Sequence, residues 1–231
     1  REEGNWVEPE FKPNPGLSGT KAINHIKYHR RQFTRWQMKK LEAGIKLADS
    51  QVQIINGSFG KSFKSLMKNA EDFYQKQFGK KPEEKVQEEL ALYFGNYMCN
   101  KTEEVLKRFP NTLFTFSACN RKDDNDAKPP YPRTARLWNV IAVGASKGHE
   151  ERAYFSNYGK KTVDVFAPGL AIESSIPGND QFDDRTLQVN GTSQAAPYIA
   201  NFAAKMMVKA RKLKVKIKVT EIKRIIIETV D

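Results

Sequence analysis

The residues best suited to chemistry are a serine and the turn and helix around it. Ser193 follows Gly191 and precedes small residues, in the run Asn190-Gly191-Thr192-Ser193-Gln194-Ala195-Ala196-Pro197. Gly191 can adopt backbone angles that other residues avoid, and Pro197 is tolerated at an early helical position, where its missing N–H costs little. The amino end of a helix presents unpaired N–H groups and a partial positive charge, which stabilise an oxyanion. The pattern favours Ser193 as a nucleophile, with a simple N-cap serine as the alternative.

Five further segments precede this motif in a fixed order. They are residues 53–60 (Gln-Ile-Ile-Asn-Gly-Ser-Phe-Gly), 117–120 (Ser-Ala-Cys-Asn), 139–145, 152–159 and 163–169. Together with the serine motif, they resemble the subtilisin-like serine proteases in order and approximate spacing, over about residues 34–231. An unrelated basic binding protein would require six accidental matches.

The resemblance implies an α/β fold of three layers, in which helices flank a mostly parallel sheet. It implies that Ser193 is the nucleophile of a serine endopeptidase and forms an acyl-enzyme. Asn120 would donate a side-chain hydrogen bond to the oxyanion; a turn asparagine that satisfies its own backbone is the alternative. An extended substrate would pair with the segments Ser58-Phe59-Gly60 and Ser117-Ala118-Cys119. Cys119 replaces the family's glycine, so its side chain would crowd the peptide-binding wall or leave a thiol beside the cleft.

The base that a serine nucleophile requires is the missing part. The sequence contains three histidines, and none stands in the His-Gly-Thr-His motif of the family. His25 and His29 lie on a basic helical stretch and are interpreted as ordinary surface histidines, and His149 lies in a polar turn. The family's Asp-bearing central strand is also missing, and a parallel sheet buried on both faces cannot omit a central strand.

We therefore expect residues 34–231 to be the carboxyl-terminal part of a catalytic domain that lacks its amino-terminal strands. An amino-terminal segment or a second chain would complete the sheet and supply the histidine and aspartate. A catalytically inactive relative, acting as a binding or scaffolding module, is the alternative function. Retention of both Ser193 and Asn120 favours the enzyme, since a scaffold needs neither.

The remaining helices and strands are predicted from the spacing of apolar residues and from the Gly, Pro and polar turn residues between them. Residues 1–33 are predicted to be an irregular leading segment, with a helix beginning at about residue 34. A helical insertion is expected at about 61–108. It would form an extra wall of the cleft, a docking surface, or an addition to the outer layer that has no function of its own. Strands are expected at 52–55, 112–117, 140–143 and 162–166, and helices at 193–212 and 220–229, with Thr220 as the N-cap of the last.

Composition limits the possible partners. The net charge of +12 is dispersed, with its densest run at residues 205–218, and no zinc-finger or RNA-recognition pattern accompanies it. A solvated basic surface is therefore favoured over specific nucleic-acid binding. The sequence contains no apolar run of about 18 residues, so it predicts no membrane-spanning helix. Two cysteines form no disulfide framework, which leaves the compartment open, with an extracellular or cell-envelope location favoured.

One acidic cluster raises the question of a metal ion. Residues 123–126 read Asp-Asp-Asn-Asp, and some members of the family bind calcium in loops. Calcium requires six to eight converging oxygens, and lysines stand close to this cluster in the sequence. A solvated turn is therefore favoured over a calcium site, and no cofactor is expected.

Overall fold

The computed structural model describes residues 7–49, 52–128, 137–148, 151–175 and 186–229. The chain forms two compact units. The helical unit comprises Arg1–Gln51 and Lys61–Arg108, and the α/β unit comprises Val52–Gly60 and Phe109–Asp231.

The helical unit contains α1 (Gly19–Asp49), α2 (Phe63–Phe78) and α3 (Glu84–Leu106). The hydroxyl of Ser62 caps α2 by accepting a hydrogen bond from the Ser65 N–H. Gly79 ends α2 in the left-handed region at φ +68°, where a residue without Cβ is favoured. Buried side chains from all three helices form the core, among them Ile26, Leu66, Leu90, Phe94 and Met98.

Helix α1 begins 15 residues before the predicted start, so the predicted irregular segment 1–33 is too long. Every fourth residue from Ala22 to Met38 is buried, which is the stripe of a helix packed on one side. Two members of that stripe, Arg30 and Thr34, are polar. A search for apolar periodicity therefore misses the first half of the helix.

A mostly parallel sheet forms the centre of the α/β unit, which confirms the predicted fold class. The strands β1 (Ile54–Gly57), β2 (Leu113–Ser117), β3 (Val140–Lys147) and β5 (Val165–Pro168) are parallel neighbours in that order. The short β4 (Glu151–Arg152) pairs antiparallel with the end of β3. All of β2 and all but the last residue of β3 are buried, as expected for strands inside a parallel sheet.

Two helices and a hairpin complete this unit. The hairpin joins β6 (Ile172–Ser175) to β7 (Thr186–Val189), and the helices are α4 (Thr192–Lys212) and α5 (Val219–Thr229). Small residues such as Ala195, Ala196 and Ala203 are fully buried on α4. They belong to one hydrophobic core with residues of β2, β3, β5 and α5. The absence of bulk on this face therefore lets α4 lie close against the strands.

Several local details differ from the predictions. Strand β1 is Ile54–Gly57 instead of 52–55, β5 is Val165–Pro168 instead of 162–166, and the β6–β7 hairpin was not predicted. Thr220 is not the N-cap of α5, because the helix begins at Val219. The Glu221 carboxylate instead accepts a hydrogen bond from the Lys218 N–H at 2.7 Å, as the acidic member of a capping box does. Among the helices that the structure describes, none is long and apolar enough to cross a membrane.

Candidate functional site

The candidate site lies where the parallel strands of the α/β unit reach their carboxyl ends. Ser58 directly follows β1, Ser117 is the last residue of β2, and Gly169 directly follows β5. Ser193 stands in the first turn of α4. The turn before it is held to the sheet because the Gly191 N–H donates to the Gly169 carbonyl at 2.8 Å.

Asn120 contacts the amino end of α4. Its Oδ1 accepts hydrogen bonds from the Thr192 N–H at 2.9 Å and from the Thr192 hydroxyl at 2.8 Å. Because an amide N–H can only donate, the atom facing it must be the oxygen, and this fixes the orientation of the side-chain amide. The Asn120 Nδ2 hydrogens bond to no residue in the part of the chain that the structure describes.

The same amide lies beside the serine. A Cβ added to Gly191 would stand 3.2 Å from Asn120 Nδ2 and 3.6 Å from the Ser193 nitrogen. The Ser193 N–H also lacks a hydrogen-bond partner among the described residues, as expected in the first turn of a helix. Two free donors from distant parts of the sequence therefore converge at the start of α4.

The segment after β1 contacts Ser193 directly. The Ser58 hydroxyl donates to the Ser193 carbonyl at 2.8 Å and accepts from Asn56 Nδ2 at 2.9 Å. The Asn56 Oδ1 in turn accepts from the Thr115 hydroxyl of β2 at 3.0 Å. The Ser193 hydroxyl lies 3.4 Å from the Ser58 carbonyl, which is at the outer limit of a hydrogen bond. A carbonyl cannot take the proton of the hydroxyl, so this contact does not activate Ser193.

Phe59 and Gly60 continue this segment as surface residues. Phe59 is 44% exposed, and the edge of its ring packs on Phe116 of β2 at 5.4 Å between centroids. An exposed aromatic side chain beside the serine is available to line a bound peptide.

The segment after β2 places Ser117 and Ala118 in the interior and turns at Cys119. Ser117 and Ala118 are 6% and 4% exposed, so their side chains do not form an open wall. Cys119 has φ +81°, a value that favours glycine. Burial, and secondarily the Asp123 carboxylate, raises the pKa of the Cys119 thiol to about 11. The thiol is therefore protonated at neutral pH and is not a competing nucleophile.

A pair of buried asparagines, which the sequence analysis did not single out as functional, shapes the loop that carries Asn120. The Asn157 Nδ2 donates to Asn125 Oδ1 at 2.8 Å, and both residues are at most 2% exposed. Asn125 donates to the Ala118 carbonyl, and Asn157 Oδ1 accepts from the Arg121 N–H at 2.7 Å. The run Ser-Asn-Tyr-Gly at 156–159 was the available signal, because serine, asparagine and glycine are typical turn residues.

Several side-chain oxygens of the acidic cluster at 123–126 are engaged by protein donors. Asp124 Oδ1 accepts from the Asp126 N–H, and the Asp126 carboxylate accepts from the Lys161 N–H and the Thr162 hydroxyl. These are the contacts of a hydrogen-bonded turn. The described residues contain no group of three or more His, Cys, Asp or Glu side chains arranged to hold a metal ion.

None of the described residues of the α/β unit is a histidine. His25 and His29 belong to the helical unit, and His149 lies outside the described residues. The prediction of an ordinary surface residue is wrong for His29, because both ring nitrogens are buried and complete no hydrogen bond with the residues that the structure describes. Its ring packs on Phe11 at 5.0 Å, and burial lowers its pKa.

Comparison with known sequences identifies one family over nearly the whole chain. The sequence model of the subtilase family matches residues 14–231. A subtilisin-like serine protease of Rhodotorula mucilaginosa (Rho m 2.0101) is 46% identical over 85 residues, and cerevisin of Saccharomyces cerevisiae is 45% identical over 85 residues. Each alignment covers 37% of this chain, but only 23% and 12% of those two proteins, so the chain spans less than a quarter of their length.

Comparison with solved structures gives the same fold. The self-cleaved protease domain of PatA matches with a TM-score of 0.54 and 22% sequence identity. The match covers 81% of this chain and 57% of that domain. At this level of identity, the likeness bears on the arrangement of helices and strands.

Proposed function

We propose that this chain, which belongs to the subtilase family, is the serine- and asparagine-bearing part of a serine endopeptidase. The observation that carries the proposal is the convergence of the Asn120 amide and Ser193 at the amino end of α4. In the proposed reaction, Ser193 Oγ attacks a peptide carbonyl and passes its proton through a base to the leaving amine. Water then hydrolyses the acyl-enzyme.

The residues of this chain account for stabilisation of the oxyanion. The Asn120 Nδ2 and the Ser193 N–H are both free to donate, and both lie at the positive end of α4. Removal of one such donor typically costs about 3–4 kcal/mol of transition-state stabilisation. Asn120 is ready for this role because its oxygen is already held by Thr192. The amide does not need to be reoriented during the reaction.

The base and its carboxylate partner would come from a segment outside this sequence. Support for this part of the proposal comes from β1, which pairs with β2 alone among the described strands. The other edge of β1 offers backbone groups to an added strand, and Ile54 and Ile55 are only half-buried. A strand that is parallel to β1 would end next to Ser58, at the edge of the sheet where Ser193 lies.

Labelling with a fluorophosphonate, which reacts with activated serines, tests the proposal. The probe should modify Ser193 in the longer protein that contains this chain and its upstream segment, and Ser193→Ala should remain unmodified. Ser18→Ala, at an exposed site in the helical unit, serves as the control and should leave labelling unchanged.

Two outcomes of this experiment would contradict the proposal. Modification of another serine would remove Ser193 from the nucleophile position. An unreactive longer protein would favour the alternative, a catalytically inactive binding or scaffolding module.

A further inference from the structure

A concave surface lies at the amino ends of the parallel strands, opposite the edge of the sheet that carries Ser193. It encloses roughly 540 Å³ and is called the basic groove, with Gln53, Asn111, Trp138, Arg211, Lys216 and Lys218 among its lining residues. Gln53, Asn111 and Trp138 each stand just before a strand of the parallel sheet. A helix rises 1.5 Å per residue, so Arg211 is roughly 27 Å along α4 from Ser193. The groove is therefore separate from the candidate active site.

The charged side chains that line the basic groove are all cationic. Residues 205–218 carry seven Lys or Arg and no Asp or Glu. Within the described part of the chain, none of these seven makes an ion pair, and no carboxylate lines the groove. Arg211 is held in place because it donates to Gln53 Oε1 at 2.5 Å. A concave site with walls of one charge concentrates ligands of the opposite charge.

The groove also exposes apolar surface. Trp138 is 41% exposed and Val215 is 58% exposed, and Ile217 is half-buried between two lysines. A purely electrostatic surface does not need these side chains. An aromatic ring and aliphatic groups beside cations suit a ligand that combines an apolar side chain with carboxylates.

Free backbone groups favour a peptide over a lipid surface or a small anion. Residues 215–218 belong to neither α4 nor α5. The Val215 N–H bonds to the Ala210 carbonyl, but the N–H groups of Lys216 and Ile217 bond to no residue that the structure describes. The side-chain amides of Gln53 and Asn111 add polar groups inside the concavity. Peptide recognition uses this combination of main-chain hydrogen bonds and side-chain pockets.

We propose that the basic groove binds an acidic peptide segment of a partner protein, with an aromatic or large aliphatic side chain between its carboxylates. The carboxylates lie against Lys216, Lys218 and Arg211, and the apolar side chain packs on Trp138 and Val215. This site does not depend on catalysis, so an unreactive Ser193 would leave the proposal intact.

Fluorescence anisotropy with two labelled octapeptides tests the proposal on the whole chain. Both peptides carry five glutamates, and their other three residues are phenylalanine in one and serine in the other. We expect the phenylalanine peptide to bind at least about tenfold more tightly, since burial of one such ring is worth that much or more. Charge reversal by Lys216→Glu with Lys218→Glu should weaken its binding by about tenfold or more.

A matched pair of substitutions separates local contact from net charge. Lys205→Glu with Lys209→Glu changes the net charge equally, on exposed residues of α4 that do not line the groove. This pair should weaken binding by less than about threefold. Circular dichroism monitors folding, and Lys216→Gln with Lys218→Gln provides a milder variant if the charge reversal unfolds the protein.

Three results would overturn the proposal. One is equal weakening by the two charge-reversed pairs, and another is equal binding of the two peptides. The third is binding of phosphatidylserine vesicles or of a single-stranded oligonucleotide, with no binding of the phenylalanine peptide when it is present at the same concentration of negative charges.

Discussion

Substitution of Asn120 separates its two roles, because one end of the amide holds α4 and the other is free. In Asn120→Ala, both Thr192 donors lose their acceptor, and Thr192 is only 1% exposed. Asn120 itself is exposed, so water can enter the space. We therefore expect a loss near the lower end of the range for two hydrogen bonds, about 1–2 kcal/mol in the free energy of unfolding.

Asn120→Asp keeps the acceptor and removes the donor. Its carboxylate still accepts from Thr192 and adds a negative charge at the amino end of α4, which contributes about 0.3–1 kcal/mol of stability. The free energy of unfolding should therefore equal or exceed that of the unsubstituted chain. The rate of fluorophosphonate labelling should nevertheless fall by about 10²–10³, because the variant has no Nδ2 hydrogens to donate to the oxyanion.

Urea unfolding of the chain and the labelling rate of the longer protein measure the two effects. The predicted pattern is that the alanine variant loses stability and reactivity, while the aspartate variant loses reactivity alone. The reasoning would be refuted if the aspartate variant were destabilised as much as the alanine variant, or if it reacted at the unsubstituted rate.

Three further predictions concern the surroundings of the site. Burial raises the pKa of Cys119 from 9.0 to about 11. At pH 8, iodoacetamide should therefore modify Cys119 about 100-fold more slowly in the folded protein than in the protein unfolded by urea. Peptide mass spectrometry measures both rates, and equal rates would contradict the prediction. Burial also raises the pKa of Asp164, so the folded state binds its proton more tightly than the unfolded state does. The stability that protonated Asp164 contributes is complete below about pH 4 and is lost as the pH rises through the raised pKa. The urea concentration at the unfolding midpoint should therefore fall between pH 4 and 7, and Asp164→Asn should make this fall smaller. A Cβ at Gly169 would stand 2.7 Å from the Gly191 carbonyl oxygen, so Gly169→Ala should cost about 1–3 kcal/mol and slow serine labelling. Gly44→Ala, at an open position of α1, should not destabilise the chain, and equal thermal shifts in the two variants would contradict the steric argument.

The sequence was most informative where a short segment determines its own geometry. The glycine turn, the small residues and Pro197 predicted the start of α4 to within one residue. The strands before Ser58 and Asn120 were predicted because apolar runs end in turn residues, and parallel strands bring their carboxyl ends together. The contact of Asn120 with the start of α4 follows from that topology, while the catalytic roles of Asn120 and Ser193 remain predictions.

Features that depend on distant partners could not be obtained from the sequence. The Asn125–Asn157 pair joins residues 32 positions apart, and each side chain alone resembles an ordinary turn asparagine. The first half of α1 was missed because Arg30 is buried in its core-facing stripe. The guanidinium lies over the rings of Phe33 and Phe94 at 5.1 and 5.4 Å, an environment that no local pattern reveals.

The proposed supply of a base and the completion of the sheet are one structural event. Ser58 follows β1, which is an edge strand among the described strands, and hydrogen-bonds the Ser193 carbonyl, so a strand added at β1 would approach Ser193 through Ser58. Asn56 and Thr115 connect the same segment to β2, which fixes the position of Ser58 before any strand is added. The proposed oxyanion donors are likewise held without the base, because Thr192 and the Asn125–Asn157 pair orient Asn120 and its loop. Under the proposed mechanism, the added segment therefore needs to contribute only the groups that move the proton.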